Sequence, residues 1–249
     1  MTTPQELIVL PDHDTLAAAI AARTLIALVD AQTARGFAHL SLTGGRGGIS
    51  ALAAVLASPA LRAVDWSKVD FWWSDERFLN KGDPDRNDTG AFDALLNHVD
   101  ADPARIHPMP YLDGPLGDDV DAAAAAYAAE LTAAADSGAS VPIFDVSLLG
   151  IGEDAHVASL FPGRNEQFEK ATVVAVRDSP KPPPTRTTFT MSTIHSSRQV
   201  WLIASGAGKA DAVKLTLSGR PAIEAPAGAA RGLERTLLHA DRDAAAEVM

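Results

Sequence analysis

Short runs rich in β-branched and aromatic residues alternate along this chain with longer stretches of helical periodicity, and that alternation leaves few folds open. Strand-like runs fall at 7–10, 39–43, 69–73, 144–149, 172–176, 187–191, 199–204 and 236–239, with helical patterns at 14–35, 48–57, 89–96, 118–135, 155–161 and 209–217. Strands and helices in this order build an α/β fold. The expectation is a three-layer, largely parallel open sheet with helices on both faces. Of the 249 residues 47% are hydrophobic, enough for one sizeable core, and no repeat of fixed period breaks the chain. One domain spanning 1–249 is expected. The alanine-rich run DDVDAAAAAYAAELTAAADSGAS looks most like a linker, but alanine is the best helix former and Val120, Tyr127 and Leu131 give it an apolar stripe. It is read as a packed helix.

Charge and cysteine content remove several function classes. The net charge is -11 and no Lys/Arg stripe is present to neutralise phosphates, so a nucleic-acid partner is not expected. A small anionic ligand in a locally basic pocket stays open. The absence of cysteine removes disulfides, thiolate metal sites and a cysteine nucleophile. No HxxxH or clustered His/carboxylate set suggests a metal, and no cofactor is expected. The opening MTTPQELIVLPDHD lacks the basic region of a signal peptide, and no apolar stretch approaches the roughly 18 residues of a membrane span. A cytoplasmic protein without a membrane partner is the expectation.

In an open parallel sheet, ligands collect beyond the carboxyl ends of the strands, so the residues there carry the functional signal. SLTGGRGGIS runs from a strand into four glycines and Arg46 before a helix. Its helix N-terminus offers free N–H groups to a phosphate, or the segment is a tight turn with no ligand. VDFWWSDERFL ends on Asp75, Glu76 and Arg77, either functional groups or a solvated loop, and Asn87 follows as a turn or cap residue. LLGIGEDAHVASLFPG carries Asp154 and His156 into the expected helix 155–161, where the dipole would favour a neutral imidazole. That suits a general base, and a capping or packing histidine is the plain alternative. PKPPPTRTTFT puts Arg186 after a proline-rich turn, read as a rigid loop rather than a polyproline ligand for a partner domain. In ASGAGKADAVK, Lys209 opens a helix, a position unfavourable for a cation unless an anion lies nearby.

Together these segments resemble the 6-phosphogluconolactonases of the glucosamine-6-phosphate isomerase/6-phosphogluconolactonase family. DAHVASLFPG is the most specific match, and the likeness covers nearly the whole chain. It implies hydrolysis of 6-phospho-D-glucono-1,5-lactone to 6-phospho-D-gluconate in the oxidative pentose phosphate pathway. His156 would activate water with Asp154 orienting it and Glu153 nearby; Arg77 and Asp75 would line the sugar end. Gly44, Gly45, Arg46 and Lys209 would cradle the phosphate, with Arg186 completing the cradle or holding other substrate oxygens and Asn87 among the binding residues. Two departures stand out. Ala155 replaces the usual glycine, which suggests a backbone position without positive φ, and Arg46 replaces a hydroxyl residue. A glucosamine-6-phosphate deaminase/isomerase is the alternative within the family, but Arg77 and SLFPG stand where those enzymes show a tyrosine and an asparagine–glutamate pair. A non-catalytic sugar-phosphate-binding protein is the alternative from another class. The phosphorylated lactone is the expected partner, bound by a monomer or small homo-oligomer.

Overall fold

The computed structural model describes residues 5–249, so the first four residues of the N-terminal segment considered above, and of the 1–249 span, lie outside the described residues. Among the described residues nine strands are formed: β1 (Gln5–Leu10), β2 (Ala38–Leu42), β3 (Val69–Trp73), β4 (Asp75–Arg77), β5 (Phe144–Gly150), β6 (Val173–Val176), β7 (Arg186–Phe189), β8 (Ser197–Ala204) and β9 (Arg235–Asp241). The helices are α1 (His13–Arg35), α2 (Gly45–Leu56), α3 (Asn87–Ala94), α4 (Val120–Ala134), α5 (Met191–Ile194), α6 (Ala210–Leu217) and α7 (Pro226–Ala229). Six strands make one sheet, β1-β9-β8-β5-β2-β3, and every pairing in it is parallel. This is the three-layer α/β architecture expected from the alternation of elements. β2 and β3 are buried along their whole length, as strands of a parallel sheet covered on both faces are, so that even His39, Ser41 and Asp70 lie inside.

The helices carry the signals that set their ends. Asp12 caps α1 by accepting the Thr15 N–H at 2.8 Å, and Gly36 at φ 85° closes it. Leu16, Ile20 and Leu28 of α1 are fully buried. The alanine-rich run is indeed a helix, α4, with Val120, Tyr127 and Leu131 buried. The Tyr127 hydroxyl anchors it, accepting the Trp73 N–H and donating to the His107 carbonyl. Among the described residues, no helix is long and apolar enough to cross a membrane.

Two expectations change. The runs at 172–176 and 187–191 do not join the parallel sheet: as β6 and β7 they pair antiparallel, and with β4 they form a second sheet of three strands. Only residues 177–185 connect β6 to β7, too short for the crossover that parallel pairing requires. The helix expected at 155–161 is absent. Ala155 (φ 64°) and Ala158 (φ 50°) take left-handed conformations that no α-helix accommodates, and the segment instead folds on isolated bridges Ile151–Val157 and Val157–Leu160. Ala155 therefore does require the positive φ that its replacement of glycine argued against.

From β2 the chain moves to β3 on one side, and from β5 to β8 and β9 on the other. β2 and β5 are neighbours, so a crevice opens beyond their carboxyl ends where the strand order reverses.

Candidate active site

The turns that follow β2 and β5 border that crevice. Beyond β2, Thr43 Oγ1 accepts the Gly150 N–H from the end of β5 at 3.2 Å, and α2 begins directly after Gly44. Gly44 has no room for a side chain, since a Cβ there would lie 1.7 Å from Asn87 Oδ1. Asn87 donates from Nδ2 to the Asp75 carbonyl at 2.8 Å, while its buried Oδ1 has no hydrogen-bond partner among the described residues.

The second element is the turn after β5. Gly152 N–H donates to the His156 carbonyl at 2.9 Å, which folds the His156 ring back over Gly152. A Cβ on Gly152 would lie 1.9 Å from His156 Nδ1. His156 Nδ1 stands 2.5 Å from Asp154 Oδ1, and the same oxygen accepts the His156 backbone N–H at 3.3 Å. The carboxylate fixes the proton on Nδ1 and leaves Nε2 as the basic nitrogen. Burial pushes the Asp154 carboxyl up, but the hydrogen bond and charge of His156 outweigh it and hold the group down at about 2. With no helix at 155–161, the ring meets a carboxylate at Nδ1 rather than a helix N-terminus.

The third element is β4. Asp75 and Glu76 are buried rather than solvated, which removes the surface-loop reading of SDER. Glu76 accepts the backbone N–H groups of Arg77, Asn87 and Asp88 at 2.7–2.9 Å and faces Arg86 at 3.6 Å, so it ties β4 to the start of α3. Asp75 faces the crevice, accepting the Ser159 hydroxyl at 2.7 Å. Arg77 donates from Nη1 to the Asp85 carbonyl, and its buried Nε has no partner among the described residues.

These elements line one cavity. Gly44, Gly45, Asp75, Arg77, Asn87, His156, Arg186 and Lys209 all border it, eight of the eleven residues singled out in the sequence. Asp154 does not border it and stands against His156 Nδ1. Arg46 does not border it: the side chain is exposed, donates to Ser205 Oγ at 3.3 Å, and lines an adjoining cavity with Glu153 and Gly206. Lys209 borders both cavities. Burial lowers the Lys209 pKa, with the Lys181 charge next in effect, and no ion pair holds its ammonium among the described residues. Arg186 lines the cavity yet turns most of its N–H groups inward. It donates to the carbonyls of Lys181, Pro182 and Pro183 at 3.0–3.2 Å and stands 3.9 Å from Asp75. Lys181 and Ser159 were not anticipated, although both lie inside the quoted motifs; only the direction of their side chains reveals them.

The sequence matches, over residues 11–238, the family described as glucosamine-6-phosphate isomerases/6-phosphogluconolactonase. It is 53% identical to a 6-phosphogluconolactonase of Streptomyces coelicolor over 99% of this chain and 95% of that one. It is 47% identical to one of Mycobacterium tuberculosis, over 96% and 97%. Among solved structures, the 6-phosphogluconolactonase of Trypanosoma brucei shares the fold with a TM-score of 0.84 at 25% identity, covering 100% of both chains. A monomeric glucosamine-6-phosphate deaminase reaches a TM-score of 0.80 at 22% identity, over 98% of this chain and 100% of that one, a likeness of fold alone. This chain belongs to the glucosamine-6-phosphate isomerase/6-phosphogluconolactonase family.

Proposed function

We propose that this protein hydrolyses 6-phospho-D-glucono-1,5-lactone to 6-phospho-D-gluconate, a reaction of the oxidative pentose phosphate pathway, in the cytoplasm. The observation that carries this reading is the His156–Asp154 pair at the edge of a cavity that also holds unpaired cations and open hydroxyl acceptors. An ester carbonyl is already electrophilic, so a positioned water, a base and a cation for the developing oxyanion are sufficient parts. Asp154 keeps the proton on Nδ1, and His156 Nε2 takes a proton from water as its oxygen attacks the lactone carbonyl carbon. The tetrahedral intermediate then collapses, and the ring oxygen leaves and takes the proton back from Nε2.

The remaining residues divide by chemistry. Asp75 and Asn87 accept sugar hydroxyls, and Arg77 donates to sugar oxygens, all three bordering the cavity. The N-terminus of α2 at Gly44 and Gly45, together with Lys209, receives the phosphate, with Arg46 at the outer margin. The 6-phosphogluconolactonase names of the relatives support this reading.

The test is hydrolysis of freshly generated lactone, coupled to 6-phosphogluconate dehydrogenase with the spontaneous rate subtracted. Acceleration is expected, with ammonia release from glucosamine 6-phosphate at background. Ammonia release without lactone hydrolysis would favour the deaminase, and sugar-phosphate binding without turnover would favour a non-catalytic role.

A further inference from the structure

Five cations line the two cavities: Arg77 and Arg186 border that of His156, and three more are ordered along the pair. Lys181 lines only the cavity of His156, Lys209 lines both cavities, and Arg46 lines only the outer one. The Lys181 ammonium forms no hydrogen bond or ion pair among the described residues, while its charge acts on Asp154 of the reacting pair and on Lys209. With the phosphate drawn to Lys209 and the N-terminus of α2, Arg77 bonded to the Asp85 carbonyl and Arg186 to its own loop, Lys181 is the remaining cation of the His156 cavity, and its ammonium has no hydrogen-bond or ion-pair partner among the described residues.

The loop that carries Lys181 is held from several directions. Ser179 N–H donates to the Pro184 carbonyl at 3.0 Å, and Ser179 Oγ donates to the Lys181 carbonyl at 2.9 Å. Arg186, 5% exposed, then clamps the loop by donating to three successive carbonyls, those of Lys181, Pro182 and Pro183. Prolines at 182, 183 and 184 restrict φ along the same stretch. A buried guanidinium that turns toward its own loop has little capacity left for a ligand, whereas the lysine beside it lines the cavity with an ammonium that has no partner among the described residues.

We infer that Lys181 is the catalytic cation that stabilises the carbonyl oxygen of the lactone as it becomes an oxyanion, and that Arg186 is a positioning residue acting through Lys181. The inference rests on the lactonase reading. As the water oxygen bonds to the carbonyl carbon and its proton passes to His156 Nε2, the carbonyl π pair moves onto oxygen, where the Lys181 ammonium faces it. When the carbon–ring oxygen bond breaks, the pair returns to the carbonyl and the ring oxygen takes the proton from His156. The nascent acid then ionises to the product carboxylate. A preorganised donor aimed at developing charge acts on kcat rather than on ground-state binding.

Steady-state kinetics on the phosphorylated lactone test this with Lys181→Ala, Arg186→Lys and the double variant, each checked for folding by circular dichroism. Lys181→Ala should lower kcat by about 10²-fold or more and change KM by less than about threefold, the scale of a lost oxyanion donor. Arg186→Lys should lower kcat in the same direction, and the double variant should be no more than about threefold worse than Lys181→Ala alone. A KM rise larger than the kcat loss would make Lys181 a phosphate contact, and an unchanged kcat would leave it without a role; either overturns the assignment. Losses that multiply in the double variant would overturn the positioning role of Arg186. An inactive wild-type protein would remove the lactonase reading and this inference together, whereas an active wild type with an unaffected Lys181→Ala removes the inference alone.

Discussion

His156 Nδ1 and Asp154 Oδ1 are 2.5 Å apart, although the two residues are separated in sequence only by Ala155. That contact determines which ring nitrogen holds the proton. In Asp154→Asn the amide can donate to Nδ1, moving the ring proton to Nε2, where it blocks acceptance from water. We predict a kcat loss on the order of 10²-fold or more with KM within a few-fold of wild type. Near-normal kcat in steady-state assays of the folded variant would remove Asp154 from the orienting role.

Lys209 and Arg46 differ in where they stand. Lys209→Ala removes a half-buried charge shared by both cavities, and a charge-assisted contact of this kind is worth about 1.5–3 kcal/mol, or roughly 10- to 150-fold in KM. Arg46→Ala removes an exposed group already bonded to Ser205 and should raise KM by less than about fivefold. Equal effects of the two substitutions on KM would mean that the phosphate reaches into the outer cavity.

Gly152→Ala is predicted to lower kcat by about 10²-fold or more, because a Cβ 1.9 Å from Nδ1 must displace the His156 ring. Thermal melts should show a smaller effect, since the ring can swing toward the cavity. Ala155 makes the complementary case. Relief of its left-handed backbone by Ala155→Gly gains about 1–2 kcal/mol and loses about 0.8 kcal/mol or more from the buried methyl, leaving stability within about 1 kcal/mol of wild type. Wild-type kcat in Gly152→Ala would show that the turn is not what sets the ring.

The account of the turn also marks where sequence reasoning stops. The parallel sheet, the glycine loop after β2 and the Asp154–His156 pair were all legible, because periodicity and strand ends are local properties. AHVASLF matched a helix since Val157, Leu160 and Phe161 recur at helical spacing, and nothing in its composition discloses two alanines at positive φ. Tertiary contacts impose them: the Ala155 carbonyl accepts the Ala227 N–H at 2.9 Å, and the Ser159 N–H donates to Thr188 Oγ1. Arg186 lines the cavity, but the side chain's inward turn onto residues 181–183 is a packing outcome. For the same reason Lys181 passed as loop backbone among prolines.

A separate pH dependence is expected at the opposite end of the sheet. His107 stacks on Trp72 at 3.8 Å and meets Glu130 through Nδ1 at 2.7 Å and Asp70 through Nε2 at 3.2 Å. Burial alone would lower its pKa, but the two carboxylates outweigh it and raise it above 6.5. A raised folded pKa gives stability that is fully present below about 6.5 and lost as pH rises through the higher folded value. His107→Gln should therefore cost more in Tm at pH 6 than at pH 9, with kcat/KM at fixed pH little changed. Equal Tm losses at the two pH values would contradict this.

The most direct measurement is kcat of His156→Ala on freshly generated 6-phosphogluconolactone, alongside its Tm. If His156 is the base that activates water, kcat falls by about 10²- to 10⁴-fold while Tm and KM stay near wild type. A folded His156→Ala protein that turns over at the wild-type rate would contradict the general-base assignment.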